Sequence, residues 1–384
     1  MKHLSYGRQC IDSVDIASVV DVLKSDFLTQ GPMVEEFEKA LCKYTGAKFC
    51  IAVTNGTAAL HLAVRALNIE RNREGITTPL TFAATANSME YNGLRTIFAD
   101  IEEKSYNIDP ERINNKITDN TRLLIPVHFT GRAADMKKIS NIGKENSCFI
   151  IEDASHAIGS EYRNGKKVGS CCYSDMTTFS FHPVKTITTG EGGAVTTNNQ
   201  ELYEKLKMLR THGITREKKD LAVNPGPWYY EMQKLGFNYR LPDINAALGV
   251  SQLSKINTFR KRRNEITAMY NDAFGNIEWL EVPLAEAGSL FCFHLYVLKI
   301  DYFKINKTRK TVMEILHGKG IGTQVHYIPV YSHPYYERKY GYSKNDFPVT
   351  EEYYKKALTI PLFYSMSDSE VRAVIKGVLD LENE

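Results

Sequence analysis

The 384-residue sequence lacks several of the patterns that would assign it to a common class of protein. It has no apolar run near the ~18 residues of a membrane-spanning helix and no signal-peptide pattern. Its seven cysteines are odd in number and include no CxxC pair, which argues against a disulfide framework or a metal motif. The net charge is only +3 and basic residues form only short clusters, so nucleic acid is not indicated. We therefore predict a cytoplasmic protein with reduced thiols, no metal site and no membrane or nucleic-acid partner.

The chain does contain a regular alternation of strand-like and helix-like segments. This alternation predicts an α/β fold with a mainly parallel sheet, helices on both faces, and ligands at the carboxyl ends of the strands. We predict a large ligand-binding domain at residues 1–250, which includes an N-terminal arm, and a smaller α+β domain at 251–384. A single long helix over 242–270 should join them, and 322–327 should form a strand in the smaller domain. Residues 215–230 are irregular, either a surface loop or a flap over a bulky ligand.

One stretch, residues 176–197, carries the strongest chemical signal. A β-prone run leads to Lys185, and the glycine-rich turn Gly190–Gly193 follows, where backbone can approach closely. Upstream, the apolar strand CFIIED ends at Asp153, and His156 comes three residues later. A lysine that loses its proton can form a Schiff base, and a carboxylate can hold a pyridine nitrogen protonated. The combination suggests pyridoxal phosphate chemistry, which needs both groups.

A second candidate element is the turn after the strand at Cys50–Thr54. The sequence Asn55-Gly56-Thr57 leads directly into a helix, and such a turn offers backbone amides and a helix dipole to a phosphate. Many α/β turns share this pattern, so capping of the helix by Thr57 is the alternative interpretation.

Three stretches, EDASHA, SFHPVKTITTGEGGAV and GFNYRLPDINAALGVSQL, resemble the sugar aminotransferases of the DegT/DnrJ/EryC1/StrS family. The resemblance runs from about Tyr6 to the C-terminal helix. It implies the fold-type-I architecture of pyridoxal 5'-phosphate enzymes. It also implies that Lys185 forms the Schiff base and moves the substrate proton, while Asp153 keeps the cofactor ring nitrogen protonated.

The resemblance further assigns residues to each ligand. In the cofactor site, Phe82 would stack on the ring and Asn238 would reach the phosphate from the neighbouring subunit. The full set implied for the cofactor is Gly56, Thr57, Phe82, Asp153, His156, Ser180, Lys185, Asn238 and Arg240. The set implied for the nucleotide sugar is Tyr6, Asp26, Phe27, Leu28, Thr29, His326, Tyr327, Ile328 and Pro329. From the residues alone, core packing of Phe82 and a structural role for His156 remain open.

The implied enzyme is a homodimer with sites shared across the interface. It would move an amino group from L-glutamate to C4 of a UDP-linked 4-keto-6-deoxy-N-acetylhexosamine, as in pseudaminic acid biosynthesis. A dTDP or GDP sugar, or reaction at C3, remains open. A dehydratase of this fold would have His in place of Lys185, and the intact Asp153, Lys185 and glycine turn disfavour a non-catalytic ligand-binding protein. Gly190–Gly193 lacks the GxGxxG spacing of a nicotinamide dehydrogenase.

Overall fold

The computed structural model describes residues 3–283 and 291–384. The helices of this part are α1 (Ser13–Leu23), α2 (Pro32–Thr45), α3 (Gly56–Ala66), α4 (Ala83–Tyr91), α5 (Pro110–Asn114), α6 (Met136–Glu145), α7 (Gln200–Arg210), α8 (Asp243–Ser254), α9 (Ile256–Phe274), α10 (Arg309–Gly318), α11 (Pro334–Tyr340), α12 (Pro348–Lys356) and α13 (Asp368–Leu379). The strands are β1 (Phe49–Val53), β2 (Glu74–Thr77), β3 (Arg95–Phe98), β4 (Thr121–Ile125), β5 (Phe149–Asp153), β6 (Met176–Ser180), β7 (Gly193–Thr197), β8 (Ile214–Thr215), β9 (Glu231–Met232), β10 (Leu280–Glu281), β11 (Tyr296–Ile300) and β12 (Ala357–Ile360).

The large sheet has seven strands in the order β1-β7-β6-β5-β4-β2-β3. Strand β7 runs antiparallel to both of its neighbours, and the other pairings are parallel. Both faces of the sheet are buried: Ala52 belongs to one core, and its neighbours Ile51 and Val53 belong to another. The predicted mainly parallel sheet covered on both faces is confirmed.

The C-terminal part is built on a smaller antiparallel sheet, β10-β11-β12. Its core gathers the inner faces of α9, α10 and α13. Helix α9 passes from one core to the other: Phe259 packs with the large sheet, and Ile266 packs with the small one. The boundary at residue 250 stays a prediction.

Two predicted elements are wrong. The helix predicted over 242–270 is broken at Lys255, whose amide donates to the Gln252 carbonyl three residues back, which tightens the turn between α8 and α9. The Lys255 ammonium pairs with Asp12 and Asp15, the N-cap and a first-turn residue of α1. The segment 322–327 is not a strand, because it pairs with β12 only at Gln324 before it turns into the cavity described below.

The sequence of residues 12–24 predicts a helix with Ile16, Val19, Val20 and Leu23 on one apolar face that packs on the core, and this orientation is wrong. Ile16 and Leu23 are exposed, whereas Asp15 and Val22 are the buried residues of this helix. Asp15 accepts hydrogen bonds from Ser251 and Gln252 of α8, so a polar contact fixes the helix on the domain. Within the described residues, no helix is both long and apolar enough to cross a membrane.

Candidate active site

A cavity of about 1030 Å³ opens at the carboxyl ends of β5 and β6, between the large sheet and the C-terminal part. Most of the predicted site residues line it, although they come from distant parts of the chain. They are Tyr6, Gly56, Thr57, Phe82, Asp153, His156, Ser180, Lys185, His326, Tyr327 and Ile328. Phe82 is 63% exposed at the start of α4, so simple core packing of this ring is wrong.

The carboxylate of Asp153 is held by two donors. Asp153 is the last residue of β5, and Thr85 Oγ1 donates to its Oδ2 at 2.7 Å. The Ser155 amide donates to Oδ1 at 3.0 Å. Thr85 also shares a 2.8 Å hydrogen bond with Thr81 Oγ1, so a short chain of hydroxyls fixes the orientation of the carboxylate. Both Asp153 and Lys185 belong to the lining of the cavity.

Lys185 lies half-buried in the loop between β6 and β7. Removal from water disfavours the ammonium and lowers the pKa of Lys185 to about 8, although the nearby charge of Asp153 opposes this shift. Near neutral pH a useful fraction of the side chain is therefore a neutral amine, which is the nucleophilic form.

The start of α3, with Ser180 and Gly193 packed against it, forms a cradle in which only glycine fits at positions 56 and 193. A Cβ on Gly56 would lie 2.8 Å from Ser180 Cβ, and a Cβ on Gly193 would lie 2.4 Å from the Asn55 carbonyl oxygen. Asn55 caps the helix by accepting from the Ala58 amide. The amides of Gly56 and Thr57 begin the helix, so they have no intrahelical acceptor and are available to an anion beside the Ser180 hydroxyl.

Three buried histidines surround the lysine. Burial and the Lys185 charge lower the pKa of His156 and of His294 well below the usual range, and they lower the pKa of His326 to about 3. All three are therefore neutral at physiological pH. His156 Nε2 lies 3.0 Å from Tyr327 Oη, while its buried Nδ1 has no hydrogen-bond partner among the described residues.

Some predicted residues lie outside this cavity in their own chain. The segment Asp26–Thr29 is exposed and is tied to the start of α8 through the Leu28 carbonyl. Asn238 and Arg240 follow the β8–β9 hairpin. Their backbones form isolated β-bridges, Asn238 with Thr211 and Arg240 with Val53. Pro329 comes directly after Ile328 and precedes a 3-10 turn. The 215–230 segment forms the exposed end of the hairpin, so neither interpretation of it is decided.

Two of the side chains that the sequence did not predict are closest to the chemistry of the site. Thr85 contacts the Asp153 carboxylate, and its sequence signal is its spacing one helical turn after Thr81. His294 lines the cavity and is 3% exposed. Its signal was a single histidine inside the otherwise apolar run FCFHLYVL, a pattern that more often marks a core residue.

Comparison with known proteins identifies the family. The model of the DegT/DnrJ/EryC1/StrS aminotransferase family matches residues 9–379. The chain belongs to this family. Among family relatives, the uncharacterized protein MJ1066 of Methanocaldococcus jannaschii is 43% identical, over 98% of this chain and 97% of its own length. The spore coat polysaccharide biosynthesis protein SpsC of Bacillus subtilis is 40% identical over the same shares.

Other relatives have more specific names. A UDP-4-amino-4,6-dideoxy-N-acetyl-beta-L-altrosamine transaminase of Campylobacter jejuni is 39% identical over 97% of this chain and 95% of its own length. Helicobacter pylori PseC, an aminotransferase of pseudoaminic acid biosynthesis, superposes with a TM-score of 0.92 at 32% identity over 100% of both chains. Spr1654 of Streptococcus pneumoniae, in its PLP form, superposes with a TM-score of 0.90 at 26% identity over 99% of both chains.

This family member is a pyridoxal phosphate-dependent aminotransferase, and the cavity fits that cofactor. Asp153 offers a carboxylate for the ring nitrogen, and Lys185 offers an amine of lowered pKa for the aldehyde. The glycine cradle at Gly56 leaves room for a phosphate beside two amides. The unpartnered Nδ1 of His156 offers one further polar contact. Within the described residues, no group of three or more His, Cys, Asp or Glu side chains is arranged to hold a metal ion.

The lowered pKa of Lys185 predicts how the cofactor-free protein captures pyridoxal phosphate. Only the neutral amine attacks an aldehyde, so the rate should rise with pH through about 8 and level off above it. Stopped-flow visible absorbance measures this rate, and Lys185→Ala is the control that should show no specific phase. A rate that still climbs toward pH ~10, where an ordinary lysine titrates, would contradict the environment described here.

Proposed function

We propose that the enzyme transfers an amino group from L-glutamate to C4 of a UDP-linked 4-keto-6-deoxy-N-acetylhexosamine, in a pathway of the pseudaminic acid type. The observation that carries the proposal is the meeting of Asp153, Lys185 and the Gly56 cradle in one cavity, in a chain similar to named altrosamine transaminases along nearly its whole length. A volume of about 1030 Å³ is large for one small ligand and suits a cofactor together with a bulky acceptor.

When bound, pyridoxal phosphate supplies an electron-accepting ring and carries the amino group from one substrate to the other. Lys185 would hold the aldehyde and, as a neutral amine, would move a proton at the carbon that loses or gains the amino group. Asp153, oriented by the Thr85 and Ser155 donors, would hold the ring nitrogen protonated. One cofactor serves both half-reactions, so the two substrates should take turns and give ping-pong kinetics.

The second candidate is the same chemistry on a different sugar. Two relatives favour it, because SpsC at 40% identity and MJ1066 at 43% identity are at least as similar to this chain as the altrosamine transaminase at 39%. Neither of their names mentions altrosamine. The residues that line the acceptor side, Tyr6 and His326–Ile328, are aromatic or apolar apart from the neutral histidine. Such a wall selects by shape, and dTDP or GDP acceptors and C3 ketones are the alternatives to test.

Acceptor choice is tested by a half-reaction screen. The enzyme is first converted to its amino form with L-glutamate, and then UDP-, dTDP- and GDP-linked 4-keto sugars are offered one at a time. We expect the visible spectrum to return fastest with the UDP-linked, acetamido-bearing sugar, with a specificity constant at least ~10-fold above the others, which corresponds to about 1.4 kcal/mol. Equal constants for the UDP and dTDP sugars would contradict the proposed acceptor.

We propose further that the enzyme is a homodimer in which each cavity is completed by the partner. An exposed apolar face supports the dimer: residues of α1 and the segment after it have exposed fractions of 46% to 61%, and they are Val14, Ile16, Leu23, Phe27 and Leu28. Asn238 supports the sharing, because it matches a family position that reaches the phosphate from the neighbouring subunit, with Arg240 nearby, and both residues lie outside the cavity of their own chain.

A mixing experiment tests the shared site. A Lys185→Ala subunit and an Asn238→Ala, Arg240→Ala subunit should each give nearly inactive homodimers. A mixed dimer has one site with both defects and one with none, because a two-fold interface is isologous. With random exchange, an equimolar refolded mixture should therefore recover roughly a quarter of wild-type activity.

Native mass spectrometry is the control for exchange in this experiment, since recovery means nothing unless the mixed dimers have formed. The equimolar mixture of wild-type protein with Lys185→Ala is the matched reference for independent sites, because it should keep about half of wild-type activity whether or not the subunits exchange. Verified mixed dimers without recovered activity would place Asn238 and Arg240 in the site of their own subunit, or outside any site.

A further inference from the structure

The ring of His156 is enclosed on several sides within the cavity. Tyr327 stacks beside it at 20° with ring centroids 6.0 Å apart, and His294 packs at 4.5 Å. Phe129 lies 6.1 Å away. His156 is only 5% exposed, so water has little access to its ring nitrogens. Nε2 faces the Tyr327 hydroxyl, and Nδ1 has no hydrogen-bond partner among the described residues.

The hydrogen bond to Tyr327 decides which nitrogen carries the proton. A neutral imidazole has one donor nitrogen and one acceptor nitrogen, whereas a phenol can do either. The phenol is the more acidic of the two groups and the imidazole nitrogen is the more basic, so the hydroxyl donates and Nε2 accepts. The ring proton then sits on Nδ1, the nitrogen that is buried without a partner.

The position of Tyr327 is itself fixed by its neighbours. The carbonyl of His326 accepts from the Tyr353 hydroxyl at 3.0 Å, and His326 Nδ1 lies 2.8 Å from Thr359 Oγ1. The amide of Val330 donates to the Pro79 carbonyl at 2.9 Å, which ties the same segment to the large domain. Contacts on both sides therefore hold the hydroxyl against His156.

We infer that Tyr327 is a positioning residue that sets the tautomer of His156, so that His156 presents Nδ1–H as a hydrogen-bond donor to the cofactor. This goes beyond a role for Tyr327 in lining the sugar pocket, and it rests on the proposed role of His156 at the cofactor. The ionisable groups that face His156 are Lys185, His294, His326 and Tyr327, with Asp153 nearby. Burial and Asp153 raise the pKa of Tyr327, which keeps its donor proton in place.

The test is the pH titration of the visible absorbance of the holoenzyme, in wild type and in Tyr327→Phe, each with and without His156→Leu. A hydrogen-bond donor favours the more negative form of the group that accepts from it. Loss of the donor should therefore raise the pH at the midpoint of the absorbance change. We expect Tyr327→Phe to raise the midpoint by about half to one pH unit, the size of one hydrogen bond. His156→Leu should raise it at least as much, and adding Tyr327→Phe to His156→Leu should change nothing more.

The matched control is Tyr270→Phe, which removes another buried hydroxyl, one that donates to the Pro361 carbonyl at 2.8 Å in the small domain. This variant should lower thermal stability and leave the midpoint unmoved. If His156→Leu alone leaves the midpoint unchanged, His156 is not at the cofactor and its proposed role fails. If His156→Leu shifts the midpoint but Tyr327→Phe does not, or if the Tyr327→Phe shift persists without His156, the inference about Tyr327 is overturned.

Discussion

Lys185→Ala should abolish turnover, with a loss of roughly 10⁴-fold or more, because the variant has no amine to hold the aldehyde or to move the substrate proton. The cavity should still bind pyridoxal phosphate in part, since the Gly56 cradle and Asp153 are untouched. Steady-state rates and equilibrium dialysis separate the two effects. In the wild-type protein, borohydride reduction should fix the cofactor covalently on the peptide that contains Lys185.

The control for this prediction is Lys167→Ala. Lys167 pairs with Glu161 at 3.4 Å and lies outside the cavity lining. A partly exposed ion pair contributes about 0–1 kcal/mol, so this variant should keep wild-type turnover and nearly wild-type stability. A borohydride label on any lysine other than Lys185 would overturn the assignment of the catalytic amine.

Asp153→Asn should bind the cofactor and lose roughly 10³-fold or more in turnover. An amide cannot hold the ring nitrogen protonated, because it carries no charge to favour the protonated form. The fold should survive the change. The amide oxygen can accept from the Ser155 amide, while the Thr85 hydroxyl can turn to accept from the new NH₂ group. If Asp153→Asn keeps a tenth of wild-type turnover, the carboxylate is structural.

Glu152→Gln is the matched control, since the neighbouring carboxylate lies on the opposite face of β5. Glu152 is fully buried and accepts from His128 Nε2 at 2.8 Å and from the Tyr162 hydroxyl at 2.7 Å. These donors lower the pKa of Glu152 against the effect of burial. The variant should lose about 1–3 kcal/mol of folding free energy, measured by denaturant unfolding, and keep most of its turnover.

The sequence was most informative where the chemistry is local. Asp153 ends a strand buried on both faces, and Lys185 stands beside a glycine turn, so each could be predicted from its own surroundings. The parallel sheet followed from the strand and helix alternation, because strands covered on both faces read as apolar runs. The carboxyl ends of neighbouring parallel strands then brought Asp153 and Ser180 together.

The other features of the fold and the site depend on contacts between residues far apart in the sequence, which no local pattern encodes. Tyr327 meets His156 across 171 residues of sequence, and nothing near either residue predicts that hydrogen bond. The stripe on α1 obeyed helical periodicity, but a buried Asp15 held by α8 turned the stripe outward. Residues whose role requires a second chain, such as Asn238, could be assigned only by resemblance, and their role stays a prediction.

The most direct test of the central claim is transfer of nitrogen from ¹⁵N-labelled L-glutamate, read by NMR of the sugar product. The proposed function predicts ¹⁵N bonded to C4 of a UDP-linked amino sugar, with one equivalent of 2-oxoglutarate formed for each equivalent of product. Label on C3, or no label in the sugar while glutamate is consumed, would contradict it.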